Sequence, residues 1–599
     1  MEKKYQKRVE RYTQLSNSLN KPISRLGYIK LSIIIITIIH SAVAFDTGKY
    51  WQVLVVFIAM LTAYIYFETK HKKIIAFKED VEILVKINQD GVKRFNREWR
   101  KFIDKGTEFV ESDHPYGFDL DIIGRDSLFQ WTNMCMTPWG RNKLSETLLA
   151  PENNISDIVN RQEAISELAG KVNFRHRLKL EAGKIGAGER EFSNLVKWAK
   201  GEHSLYQKKW FSITVKALPV VTLAAAISGL LLNVIPSGVF IYLLLIQVVL
   251  LVIGRKERGQ YLESVHKAKR SLEKLNSVFL RMEKHKFHSN LLLKTQSKLL
   301  INQKELPSKQ IKALSRIASS ISNRRSSVYL LLNVFLLWDY QCCLSLEKWK
   351  ITSGKHLEDW FDVVGEFECL SSIALIKHDH PDWTMPTFEP HESNVNIKAD
   401  QVAHPLMGAD CVANSIEFTK DSPIALITGS NMSGKSTFLR TVGINLVLAY
   451  SGAPVYAKAF SCQSMKLYTC MRVSDDLQKN ISSFYGELLR IKMISEEVKR
   501  NNKVFFLLDE IFKGTNSADR HLAAKAVIHN MDKSGATGMV STHDLELDVI
   551  EEESKGRVTN HHFEETYKDD QILFDYQLKE GVSKTRNAIF LIKAAGIEI

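Results

Sequence analysis

Residues 424–437 read IALITGSNMSGKST and decide the fold of the C-terminal third of the chain. A short apolar run is followed by a loop with the spacing GxxxxGKS and then by an apolar helical pattern. A strand, a glycine-rich loop and a helix in this order predict a phosphate-binding loop, because the glycines let backbone N–H groups surround phosphate oxygens at a helix N-terminus. The predicted binding residues are Gly429, Ser430, Asn431, Met432, Ser433, Gly434, Lys435, Ser436 and Thr437.

Two residue types in and after this loop predict a magnesium-dependent reaction. Lys435 would place a positive charge on the β- and γ-phosphates, and the Ser436 hydroxyl can bind Mg²⁺. A second apolar run, residues 504–508, ends in Asp509 and Glu510. Asp509 is the predicted second metal ligand at the carboxyl end of a parallel strand, and Glu510 is the predicted general base for the attacking water. The alternative is that the acidic pair only begins a helix.

Residues 537–541 (TGMVS) are predicted to form a third buried strand and are followed by Thr542-His543-Asp544. Since the ends of parallel strands meet at one edge of a sheet, His543 is predicted to sense the γ-phosphate across the site. The alternative is a histidine that only caps its loop.

Two stretches of sequence predict membrane hairpins. Residues 217–254 contain no charged side chain over 38 positions, so a single helix would be nearly twice as long as the ~30 Å hydrocarbon core is thick. Pro236-Ser237-Gly238 interrupts the run and favours two spans. Residues 31–45 and 50–67 form a weaker pair around a short turn. The alternative for the longer stretch is a buried hairpin in a soluble domain.

The basic residues around these four predicted spans indicate an orientation. Lysines and arginines precede the first and third spans and follow the second and fourth, whereas the two intervening turns carry almost no charge. By the positive-inside rule, the N-terminus and all sizeable soluble parts would be cytoplasmic, in a multi-pass protein of the cell membrane that contacts membrane lipid.

The basic charge of the chain is concentrated in one segment. The formal net charge is +14, and residues 255–325 hold 18 basic and five acidic side chains. We expect a largely helical segment up to Glu305, about 75 Å long at ~1.5 Å per residue, that binds nucleic acid phosphates. If the helix stood upright, five lysines would lie beyond the reach of lipid headgroups: Lys284, Lys286, Lys294, Lys298 and Lys304. The alternatives are a surface for anionic lipid and a solvated helix face.

Four ordered segments carry a family resemblance. They read TGSNMSGKSTFLRTVG (428–443), SDDLQKNISSFYGELLRI (474–491), LLDEIFKGTNSADR (507–520) and STHD (541–544). Together they resemble the MutS-type DNA mismatch-repair ATPases. Residues 118–168, with Thr-Pro-x-Gly and Arg-Gln elements, and residues 331–349 resemble the helical core of that family more weakly.

The resemblance implies ATP and Mg²⁺ as cofactors and a homodimer in which Ser482 reaches the γ-phosphate bound by the partner subunit. It also implies a clamp that binds DNA without sequence preference. Two features depart from the family: a membrane hairpin and linker stand where the mismatch-reading domain is expected, and Cys411 stands where repair members often have an adenine-stacking aromatic. The chain is most similar to a membrane-anchored MutS-like branch.

We therefore predict an α/β P-loop NTPase domain of the ABC type, a mostly α-helical core and lever region, and four transmembrane helices. The predicted function is a Mg-dependent ATPase coupled to a DNA-binding clamp at the membrane, and the alternative is a membrane-attached ATPase that acts on a non-DNA partner. The predicted segments are a basic N-terminus (1–29), a transmembrane hairpin (30–67), a helical linker (68–117), a helical core (118–210), a second hairpin (211–254), a basic lever with the returning core (255–395) and the ATPase domain (396–599).

Overall fold

The computed structural model describes residues 1–582 apart from short gaps. The gaps are 110, 112, 152–153, 187–188, 202–204, 233, 237, 302–304, 322–325, 391, 409, 431, 473–482, 501–502, 513–515 and 569–570. The chain divides into two compact units, Met1–Ile103 and Asp104–Ile599.

The first unit contains three long helices: α1 (Glu2–Ser18), α2 (Asn20–Asp46) and α3 (Tyr50–Phe95). The predicted turn between α2 and α3 is confirmed, and Gly48 adopts a φ of 71° in it, which glycine does at little steric cost. α1 packs on α3 with Tyr5 against Gly91, where a Cβ would lie 2.6 Å from the tyrosine ring. Lys30 donates to Glu68 at 2.7 Å, so the basic residue that directly precedes the apolar part of α2 is paired.

The second unit begins with a mostly helical region. Its helices are α4 (Leu128–Thr132), α5 (Pro138–Leu149), α6 (Ile155–Gly170), α7 (Val172–Gly183), α8 (Glu189–Lys200), α9 (Lys209–Ala226), α10 (Gly238–Val252), α11 (Arg255–Lys267), α12 (Lys269–Lys284), α13 (Asn290–Ser297), α14 (Pro307–Ile321), α15 (Ser327–Leu336), α16 (Trp338–Ser353) and α17 (Leu357–Asp379).

The predicted Thr-Pro-x-Gly element begins α5 and fixes its packing on α17. Thr137 accepts a hydrogen bond from Gly140 as the N-cap of α5, and Pro138 follows at the first helical position, where its missing N–H costs nothing. Gly140 faces the buried Glu368 of α17 so closely that a Cβ there would overlap it. The small residue is therefore required by the close approach of two helices.

Among the described residues, three helices are long and apolar enough to cross a membrane: residues 2–46, 50–95 and 209–230. Two bent helix pairs also meet this test when taken together, α10 with α11 (66°) and α15 with α16–α17 (75°). The helices of both predicted hairpins are thus present as apolar candidates, and their membrane insertion stays a prediction. The bent pair that contains α15 was not expected from the sequence.

The prediction of one continuous helix from residue 255 to 305 is wrong. The first helix, α11, ends at Lys267, and the next, α12, ends at Lys284. After Lys284, Phe287 packs against Phe174 and Phe367 with ring centroids 5.3 and 5.2 Å apart. α13 then lies against α6 and α17. The inserted aromatic side chain turns the chain back onto the helical core, so the basic segment is not a 75 Å arm. Lys304 lies outside the described residues.

The C-terminal region is a mixed α/β domain. Its strands are β1 (Thr387–Phe388), β2 (Val395–Val402), β3 (Asn414–Thr419), β4 (Ile424–Thr428), β5 (Ala459–Cys462), β6 (Lys466–Cys470), β7 (Val504–Asp509), β8 (Thr537–Ser541), β9 (Val558–Lys568) and β10 (Gln571–Glu580). Its helices are α18 (Lys435–Tyr450), α19 (Ser483–Arg500), α20 (Ser517–Lys533) and α21 (Ile550–Glu553).

The described strands form two sheets. The larger has the order β10-β9-β4-β8-β7-β6, with all neighbours parallel except β10 and β9, and the smaller has the order β1-β5-β2-β3. The three predicted strands are confirmed as β4, β7 and β8, and every residue in them is buried. Because these strands are adjacent and parallel, their carboxyl ends bring the three predicted motifs to one edge.

Candidate nucleotide site

The phosphate loop joins β4 to α18 and requires glycine at two positions. Gly429 has a φ of 143° and Gly434 a φ of 108°, values that residues with a Cβ rarely adopt. A Cβ on Gly429 would also lie 2.8 Å from the carbonyl oxygen of Phe563. The loop therefore leaves its main chain accessible, as close contact with phosphate oxygens requires. Met432 is 85% exposed at its tip, and Asn431 lies outside the described residues.

Lys435 lies buried at the centre of this loop. Its Nζ donates to the carbonyl oxygens of Gly429 at 2.7 Å and Ser430 at 2.9 Å, and the Oε1 atom of Glu510 lies 3.7 Å away. Burial lowers the pKa of Lys435, while Glu510 and Asp509 oppose that change. The ammonium group therefore lies inside the predicted phosphate loop, bonded to the loop's own carbonyl oxygens.

Glu510 and His543 meet at the ends of β7 and β8. The Nδ1 atom of His543 lies 3.1 Å from Oε1 of Glu510, and the Glu510 N–H donates to the Ser541 carbonyl at 3.0 Å. Glu510 has a φ of 50°, a backbone conformation that is uncommon for residues with a side chain and concentrates at functional sites. Three predicted residues, Lys435, Glu510 and His543, therefore form one cluster.

The two predicted metal ligands occupy different surroundings. Asp509 is buried and accepts a hydrogen bond from the Ser541 hydroxyl, which fixes one carboxylate oxygen. Ser436 lies in the first turn of α18 and lines the same cavity as Lys435 and Glu510. Hydroxyl and carboxylate oxygens are the donors that Mg²⁺ prefers, so this pair is chemically suited to the ion.

The cavity above the loop has a volume of about 420 Å³ and includes residues that the sequence motifs did not indicate. Ser430 donates to Glu565 of β9 at 3.0 Å. Tyr576 of β10 lies over Gly434, where a Cβ would be 3.2 Å from its ring, and its side chain is 44% exposed. Asn414 holds the Tyr576 carbonyl at 3.0 Å. Glu565 and Tyr576 lie on strands that are far from the phosphate loop in the sequence, and Asn414 lies on β3 before the loop, so the motifs gave no sign of them.

Cys411 also lines this cavity. It occupies the position where repair members of the family often have an aromatic side chain that stacks on adenine. Its Sγ atom accepts a hydrogen bond from the backbone N–H of His404 at 3.4 Å. Of the aromatic side chains that line the described cavity, Tyr576 of β10 is more exposed than Phe438 and Phe563.

Of the segment from 474 to 491, the structure describes the part that begins with α19 at Ser483. Ser482 lies outside the described residues, so its predicted position opposite a partner's nucleotide stays a prediction. Glu487 in the first turns of α19 is buried and accepts a hydrogen bond from the Phe512 N–H at 2.6 Å. Phe512 is two residues after Glu510, so the helix that begins at Ser483 is fixed directly to the loop that carries the predicted general base.

The helical region contacts elements beside this site through Asp119 and Asp121. The buried Asp119 accepts hydrogen bonds from the Thr469 hydroxyl at 2.7 Å and from the Met471 N–H at 3.0 Å. Asp121 pairs with Arg472 at 2.5 Å and lies 3.6 Å from Arg440 of α18. One short segment therefore contacts the phosphate-loop helix and the residues that precede position 473.

Comparison with known proteins agrees with this geometry. Residues 425–598 match the family model described as MutS domain V. The chain is 31% identical over 240 residues to the DNA mismatch repair protein MutS of Aquifex pyrophilus, covering 39% of this chain and 27% of that protein. It is 34% identical over 176 residues to DNA mismatch repair protein MutS 2 of Haloarcula marismortui, covering 29% of this chain and 18% of the relative.

A third relative, MutS of Streptococcus agalactiae, is 28% identical over 250 residues, which is 41% of this chain and 29% of that protein. The chain thus spans less than a third of the length of each of these relatives. The matched family model covers β4, the phosphate loop and the strands that carry Glu510 and His543. Residues 425–598 therefore match MutS domain V, and in this region the chain is similar to the MutS family.

Proposed function

We propose that the chain is a Mg-dependent ATPase that couples ATP binding and hydrolysis to a DNA-binding clamp attached to the membrane. The observation that carries the ATPase assignment is the cluster of Lys435, Glu510 and His543 at the edge of the parallel sheet. Lys435 Nζ lies 3.7 Å and His543 Nδ1 lies 3.1 Å from Oε1 of Glu510. The DNA assignment is supported by the relatives, which are DNA mismatch repair proteins by name.

In the proposed reaction, Lys435 binds the β- and γ-phosphates, and Glu510 accepts a proton from the attacking water. His543 contacts Oε1 of Glu510 and so orients the carboxylate toward that water. Ser436 and Asp509 would hold Mg²⁺, which supplies charge neutralisation on the phosphates when it is bound. Tyr576 offers a ring face for the base, since it is the exposed aromatic side chain at the mouth of the described cavity.

The ATPase assignment is tested with the full chain reconstituted in lipid nanodiscs. We expect Lys435→Ala to lose both ATP binding and turnover. Glu510→Gln should retain ATP binding and hydrolyse it ~10²-fold or more slowly, the usual effect of losing a positioned base. Glu496→Gln makes the same chemical change at a half-exposed position on α19 and should leave turnover unchanged. Full turnover of Glu510→Gln would remove Glu510 from the proposed role.

One observation favours the alternative, an ATPase that acts on a non-DNA partner. The basic segment folds back onto the helical core, and Lys294 and Lys298 line a polar cavity together with the acidic Asp359, Asp362 and Glu366. These carboxylates would weaken the attraction of the two lysines for DNA phosphates. The exposed Lys284 and Lys286 are not part of that cavity, so the DNA proposal depends chiefly on them and on Arg255, Arg270 and Arg281 of α11 and α12.

A further inference from the structure

The short helix α15 presents an unusually apolar surface. Residues 326–338 contain no charged side chain, and six of the ten residues in α15 are large, apolar and exposed: Val328, Leu330, Leu331, Leu332, Phe335 and Leu336. At 100° per residue, these positions cover more than half of the helix circumference. A soluble protein rarely exposes a continuous apolar area of this kind.

This surface continues onto two neighbouring helices. α15 contacts both α9 and α10, whose own outward side chains are apolar and exposed, with Val221 at 51% and Val249 at 56%. α9 is long and apolar enough to cross a membrane. We call the exposed apolar residues of α9, α10 and α15 the three-helix surface.

A buried polar cluster closes one end of the three-helix surface. Arg258 pairs with Asp339 at 3.3 Å, and both side chains are at most 5% exposed. Arg258 donates to the Leu251 carbonyl at 2.7 Å, and Tyr340 donates to the Leu250 carbonyl at 2.9 Å. These bonds satisfy carbonyls at the C-terminus of α10, which no residue of that helix can reach.

The same cluster fixes the direction of α15. Tyr329 within α15 donates to Asp339 at 2.6 Å, and Leu337 adopts a φ of 49° between the two helices. The chain therefore bends by 75° between α15 and α16. Charged groups lie at this corner and none lies along α15, which is the distribution expected at the boundary between headgroups and hydrocarbon.

We propose that α15 is embedded in the lipid bilayer beside α9 and α10, as a third membrane element that does not cross it. Ten residues at ~1.5 Å each reach about half of the ~30 Å hydrocarbon core. Lipid acyl chains would cover the outward face of α15, because its exposed apolar side chains lie next to those of α9 and α10. The inference rests on the membrane attachment in the proposed function.

The test is photo-crosslinking of the full chain in phosphatidylcholine–phosphatidylglycerol liposomes. p-Benzoylphenylalanine replaces Leu331, which is 57% exposed, and in a matched control Ile351 of α16, which is 59% exposed. The same substitution at Val221 of α9 reports on membrane attachment itself, and a repeat at Leu330 guards against one poorly folded variant. ATP hydrolysis by each variant confirms that it is folded.

We expect a phospholipid adduct at Leu331 in a yield about tenfold above that at Ile351, since the ketone reacts with C–H bonds it contacts. A lipid adduct at Val221 without one at Leu331 or Leu330 would overturn the placement of α15 and leave membrane attachment intact. A crosslink from Leu331 to a second copy of the chain would equally overturn it, in favour of a protein interface. Loss of the lipid adduct at Val221 as well would refute membrane attachment.

Discussion

At the scale of single residues, Glu368 shows how the helical core sets a side chain's protonation. Its carboxylate is fully buried between α17 and α5, where it accepts hydrogen bonds from the Met136 N–H at 2.9 Å and from the Thr137 hydroxyl. Burial raises the pKa of Glu368 from 4.5 to about 7, and the hydrogen bonds oppose that rise only in part. The folded chain therefore holds this proton more tightly than the unfolded chain.

Glu368 should make stability depend on pH. Because its folded pKa of about 7 lies above 4.5, its full contribution is present below pH 4.5 and is lost as the pH rises through 7, by about 3 kcal/mol at most. We expect Glu368→Gln to flatten the unfolding free energy between pH 5 and 8, measured by tryptophan fluorescence in detergent. Glu366→Gln, which changes a half-buried carboxylate on the same helix, should keep the slope. An equal slope in Glu368→Gln would contradict the assignment.

Some residues of the candidate site could be predicted from the sequence and others could not. Lys435, Glu510 and His543 were found because each follows an apolar strand with a recognisable spacing, and parallel pairing brings strand ends together. Glu565 and Tyr576 were missed because their contacts with Ser430 and Gly434 depend on β9 pairing with β4 across more than 130 residues. No local pattern encodes that pairing.

At the scale of elements, β4 and β7 were predicted because their short, largely apolar runs fit strands buried on both faces, and β8 because its uncharged run TGMVS leads into the Thr-His-Asp motif. The breaks of the basic helix were not predicted, because residues 285–289 contain neither glycine nor proline. There the chain is turned by long-range contacts: Phe287 enters the core and Glu167 accepts hydrogen bonds from the His288 and Ser289 N–H groups at 3.0 and 2.7 Å. Tertiary contacts overrode a helical pattern.

The basic elements make a prediction about DNA binding by the full chain in nanodiscs of neutral lipid. Changing the exposed Lys284, Lys286, Lys294 and Lys298 together to Gln should weaken binding. The slope of log affinity against log salt should flatten by about 0.9 for each DNA phosphate that is no longer neutralised. The control changes four exposed lysines of the ATPase domain to Gln: Lys398, Lys458, Lys492 and Lys533. An effect as large in the control would show that net charge alone is responsible.

At the scale of the whole molecule, the ATPase site is proposed to be completed by a second subunit. Ser482 and Lys435 should then act at the same nucleotide from different chains. Mixing Lys435→Ala subunits with Ser482→Ala subunits should restore one intact site in each heterodimer and recover part of the turnover, whereas each variant alone stays inactive. Absence of recovery, with heterodimers verified by two affinity tags, would exclude a site shared between subunits.

The central claim of the proposed function is that the nucleotide state controls DNA binding, and a single assay can measure this. The affinity of the full chain for duplex DNA is determined in neutral-lipid nanodiscs with saturating ATP and Mg²⁺, at one fixed salt concentration, for Glu510→Gln and Lys435→Ala. The first variant should hold ATP and the second should not. We expect DNA affinities that differ by about tenfold, within the usual 5–150-fold range of coupling between two sites. Equal affinities, or no DNA binding by either variant, would refute the coupling.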